Sequence, residues 1–97
     1  MELGSIRDEI GEIDRRLLEL MKRRLELAVL VGEEKAKTGA VIRNLEQERN
    51  VIDRYRGFAL ENGMNPVYAE NVCRMLMQES IEAQASLPRP TADAKHI

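Results

Sequence analysis

Five residues that carry charge or hydrogen-bonding ends fall on stripes of the sequence that are otherwise apolar: Arg24, Lys35, Glu48, Ser80 and Gln84. Each alone has an ordinary reading. An arginine or lysine on such a stripe lays its stem along the core and keeps its head in water. A glutamate near a helix start caps or pairs at the surface, a serine bonds back to its own helix, and a glutamine marks where a core ends. Together they ask for one explanation, because burying charge without partners is costly. Two cations, one carboxylate and two neutral groups around one pocket can hold a dianion. The set offers no obvious nucleophile, so its chemistry would be positioning and electrostatic stabilisation. Other chemistries lack their residues: there is no Cys/His cluster, no Ser–His pairing and no glycine-rich phosphate loop, and the one histidine, His96, stands near the C-terminus. Neither a metal nor a cofactor is expected.

These residues need helices to bring them together. Ile6, Ile10, Ile13, Leu17, Leu20, Leu27 and Val31 recur in steps of mostly four and three, the seam of one long helix. Arg24 and Lys35 interrupt that seam eleven residues apart, so they differ by only ~20° around the axis and ~16 Å along it. Ser5 is a suitable N-cap and Gly39 a left-handed stop, which predicts a first helix from Ser5 to about Thr38. Asn44, with Gln47 three residues on, opens a second helix that runs to about Asn62 before Gly63. Its seam is Leu45, Glu48, Ile52, Tyr55 and Ala59. Asn65-Pro66 opens a third, with a stripe of Ala69, Cys73, Leu76, Ser80, Gln84 and Leu87. Residues 1–87 thus read as one all-α, three-helix domain, and 88–97 as a disordered tail.

A helix of that length is ~50 Å long, whereas a compact globule of this size is roughly 33 Å across. The overhanging seam would be an exposed apolar liability. A second copy packed along it removes the problem, so an intertwined helical homodimer is expected. The chain of 97 residues carries 17 acidic against 15 basic side chains, which gives no field for nucleic acid or an anionic membrane surface. No run is long enough to span a membrane and no signal pattern opens the chain, so a soluble cytoplasmic protein is expected. Cys73 has no partner for a disulfide and reads as a buried thiol.

The runs Ile6-Arg7-Asp8-Glu9-Ile10 and Ile13-Asp14-Arg15-Arg16-Leu17-Leu18-Glu19-Leu20 resemble the opening of the all-helical chorismate mutases. Arg23-Arg24-Leu25-Glu26-Leu27-Ala28, Val31-Gly32-Glu33-Glu34-Lys35, Glu48-Arg49 and Glu79-Ser80-Ile81-Glu82-Ala83-Gln84 continue the likeness, from about Ser5 to Leu87. The resemblance implies a three-helix protomer dimerised through its first helix. It also implies rearrangement of chorismate, a dianionic substrate, to prephenate on the way to phenylalanine and tyrosine. Carried over by position, Arg24 would bind a substrate carboxylate. Lys35 would contact a carboxylate and the ether oxygen, Gln84 would donate to that oxygen, Glu48 would hold the ring hydroxyl, and Ser80 would assist a carboxylate. Arg7 matches an arginine that reaches into the partner's site. Two further site positions depart from the family pattern: Gln47 stands where an arginine is usual and Asn44 where an aspartate is usual. Loss of one positive charge there would weaken dianion binding.

Two other readings compete. Isochorismate-pyruvate lyase shares the fold and the basic residues, but carries residues unlike Glu48 and Ser80 at those positions. A non-catalytic helical dimerisation or regulatory module would account for the long seam. It would leave the five inward polar residues unexplained.

Overall fold

Turn chemistry cuts the chain into three helices. The computed structural model describes residues 2–87, and the tail expected at 88–97 lies outside them. α1 spans Leu3–Thr38, α2 Leu45–Glu61 and α3 Pro66–Ala85, with no strand among the described residues. Gly39, at φ 71°, takes the left-handed conformation that ends α1, and its N–H donates to the Lys35 carbonyl. The Asn44 side chain accepts from the Gln47 backbone N–H at 3.1 Å, and that of Asn65 from Val67 N–H at 2.9 Å. Pro66 follows as the first helical residue of α3.

The start of α1 differs from expectation. Ser5 is not its cap: the helix begins at Leu3, with Glu2 in the capping position and no side-chain cap bond. The Glu2 carbonyl already accepts from Ile6 N–H at 3.1 Å, so the backbone ladder starts without a side chain.

α3 is the central element and packs against both α1 and α2, whose backbones do not approach each other. Its contacts rest on small or flexible side chains. Ala59 of α2 and Cys73 of α3 are fully buried, with Ala28, Gly32 and Met77 on the α1 side. Burial pushes the Cys73 thiol above its ordinary value, so it is an inert part of this core.

The N-terminal part of α1 is open to solvent. Every residue from 3 to 23 is exposed, including Ile10, Ile13, Leu17 and Leu20 of the seam. The fold measures 67 × 25 × 15 Å with a radius of gyration of 17.9 Å, against ~13 Å for a compact chain of this length.

Candidate active site

The second half of α1, the connection after it, the first two turns of α2 and the C-terminal part of α3 line an open cavity of about 320 Å³, within the ~300–1,000 Å³ range of small-molecule sites. Seven of the eight expected residues line it: Arg24, Lys35, Asn44, Gln47, Glu48, Ser80 and Gln84. Leu27, Ala28, Val31, Val51, Met77 and Ile81 supply its apolar wall. Arg7 is the exception. It is exposed on the projecting part of α1, ~25 Å along the helix from Arg24.

Arg24 is held by α3. Its Nη1 donates to Ser80 Oγ at 2.9 Å and to the Leu76 carbonyl at 3.2 Å. The Ser80 hydroxyl donates its own proton to the same carbonyl at 2.9 Å. Ser80 therefore orients the guanidinium, and its single proton is already committed. Lys35 Nζ donates to the Ile42 carbonyl at 2.7 Å, where the chain turns from α1 towards α2. The ammonium is half-buried and oriented, yet keeps donors for a ligand.

Gln84 is 7% exposed, and its Oε1 has no hydrogen-bond partner. The amide lines the same cavity as Arg24 and Lys35. Its placement depends on Gly32. A Cβ at that position would stand 2.8 Å from Gln84 Cγ and 2.9 Å from Leu87 Cδ1. Only a glycine lets α1 and α3 close on that amide as they do.

One further residue of the site, Arg43, lies on no apolar stripe of the sequence. Its guanidinium forks onto Glu48, with Nη2 at 2.8 Å from Oε1 and Nε at 3.1 Å from Oε2. That bond, with the nearby charges of Arg43, Arg74 and Lys35, holds the Glu48 carboxyl below its ordinary value against the opposing effect of burial. Arg43 lies directly before the cap of α2 and five residues before Glu48. A cation so placed beside a helix start with a glutamate in its first turns was the available signal. Glu48 also borders a second, outer cavity of about 580 Å³, lined by Arg43, Arg74 and Glu79 among others.

The arrangement offers anchored cations, an ionised carboxylate and a buried amide around one apolar-walled space. It offers no activated nucleophile, since the Ser80 proton is given to a carbonyl and the Cys73 thiol is buried elsewhere. Comparison with known proteins points the same way. The T-protein of Enterobacter agglomerans is 37% identical over 83 residues, 86% of this chain and 22% of that protein. The bifunctional chorismate mutase/prephenate dehydratase of Escherichia coli K12 is 27% identical over 85 residues, 88% of this chain and 22% of that protein. The T-protein of Haemophilus influenzae is 36% identical over 78 residues, 80% of this chain and 21% of its own length. The chain thus spans about a fifth of the length of the curated relatives it matches. Residues 6–85, which hold the whole cavity and nearly all of the three helices, match the family described as Chorismate mutase type II, and the chain belongs to that family.

Proposed function

We propose that this chain is a chorismate mutase acting in the biosynthesis of phenylalanine and tyrosine. The observation that carries the reading is the buried Gln84 side chain set in the same cavity wall as Arg24 and Lys35. In the rearrangement of chorismate the ether C–O bond breaks as a new C–C bond forms within one molecule, so no group of the protein need bond to the substrate. What a protein can add is the reactive conformer and a charge that meets the developing negative charge on the ether oxygen.

Arg24, fixed through Ser80, would fasten one carboxylate. Lys35, held by the Ile42 carbonyl, would give its remaining donors to the second carboxylate and the ether oxygen, and Gln84 would donate its amide N–H to that oxygen. Glu48, kept ionised by its cationic neighbours, would accept from the ring hydroxyl. Asn44 and Gln47 would complete the wall as neutral donors. The site would be finished by Arg7 of a second copy, lying along α1 in an intertwined homodimer. The exposed apolar seam of α1 supports that assembly. A single cysteine without a disulfide partner fits work in the cytoplasm, and no helix among the described residues is long and apolar enough to cross a membrane.

The test is chorismate consumption with identification of the product. Prephenate supports the reading. Inactivity towards chorismate, with pyruvate released from isochorismate, would replace it by the lyase; inactivity towards both would favour a dimerisation module.

A further inference from the structure

One short connection restrains both of the cavity's opposite charges. Lys35 is held by the Ile42 carbonyl at 2.7 Å, and the next residue, Arg43, forks onto Glu48 at 2.8 and 3.1 Å. Both Lys35 and Glu48 line the inner cavity, yet among the described residues they form no ion pair with each other. Two opposite charges facing one cavity attract, and closing on each other would consume the cation that a dianion needs. Arg43 borders only the outer cavity, while Glu48 borders both. The guanidinium therefore grips the carboxylate from behind, on the side away from the ligand space.

We propose that Arg43 is a positioning residue which, by engaging Glu48 from the outer cavity, keeps that carboxylate from pairing with Lys35 and so leaves the lysine to an anionic ligand. The inference rests on the mutase reading of the same site. The charged groups facing Glu48 are Arg43 from the connection, Lys35 from α1 and Arg74 from α3. Arg74 is itself drawn onto Glu70 at 2.8 Å. Without Arg43, the cation with access to Glu48 from the ligand side is Lys35.

The experiment is a double-mutant cycle of Arg43→Ala and Glu48→Gln, read by chorismate turnover and by calorimetric binding of prephenate as a stable dianion. Arg43→Ala should weaken prephenate binding and raise KM by about ten-fold, the effect of losing a hydrogen bond to a charged group, with a smaller change in kcat. In the Glu48→Gln background, where the neutral amide cannot capture the lysine, the same substitution should change binding by less than about two-fold. Arg43→Lys, a cation without the fork, should recover part of the loss. Equal losses in both backgrounds would show a merely structural role and overturn the proposal, as would no loss in either. A wild-type chain that binds prephenate without converting chorismate would overturn the mutase reading alone. One that binds no prephenate would overturn both.

Discussion

Arg24 Nη1 stands 2.9 Å from Ser80 Oγ, and both groups donate to the Leu76 carbonyl. The serine thus holds the arginine, and through it would assist a substrate carboxylate, the part that the family resemblance implies. Ser80→Ala should raise KM by about ten-fold, the effect of one hydrogen bond to a charged group, and leave kcat within a few-fold. In an Arg24→Ala background it should add little. Steady-state kinetics of the two single variants and the double variant check this.

Gly32 faces Gln84 across the α1–α3 contact, with no room for a methyl group. Gly32→Ala adds helix propensity but overpacks the contact. The expected net outcome is a stability loss of about 1–2 kcal/mol by urea unfolding. Turnover should fall with it, because the displaced group is the amide that faces the cavity. A more stable and fully active variant would contradict the placement of Gln84.

The exposed seam of α1 calls for a partner. Sedimentation equilibrium at micromolar concentration should give twice the chain mass, whereas a monomer with full helicity would contradict the assembly. Arg7→Ala and Arg24→Ala chains, each impaired alone, should regain activity when mixed. Each mixed dimer then holds one intact site. No rescue after demonstrated subunit exchange would show that each site belongs to one chain.

Gln47 lines the cavity as a neutral residue, and its backbone N–H is already used by the Asn44 cap. Gln47→Arg leaves that cap in place and adds a cation to the cavity wall. A lower KM for chorismate is expected. An unchanged or higher value would show that the cavity already meets its charge requirement by other means.

Much of this arrangement is legible in the residues, for a physical reason. An apolar repeat defines the face of a helix that packs against a neighbour, so where α1, α2 and α3 meet, a polar residue on that repeat turns towards the contact. Arg24, Glu48, Ser80 and Gln84 are visible on that ground, and Asn44, Asn65 and Gly39 mark the helix ends by their turn chemistry. What escapes is whatever depends on one element meeting another. Arg43 and Glu48 share no helical face, because the pair spans the cap of α2. The partner of Lys35 is a backbone carbonyl in a connection, for which no side-chain pattern exists. Gly32 looks like a weak point in α1 until α3 is set against it. Ser5 looks like a cap only while the backbone bond from Ile6 to Glu2 is unknown.

Electrostatic catalysis at this cavity would centre on Lys35. Its ammonium is oriented in the cavity by one carbonyl and faces, in the proposed reaction, charge that is larger in the transition state than in the bound substrate. The direct measurement is the turnover number of Lys35→Ala in chorismate disappearance at saturating substrate, with helicity checked by circular dichroism. A fall of at least ~10²-fold, comparable to loss of an oxyanion donor, is the expected result. Near-normal turnover in a folded Lys35→Ala chain would contradict electrostatic catalysis at this cavity.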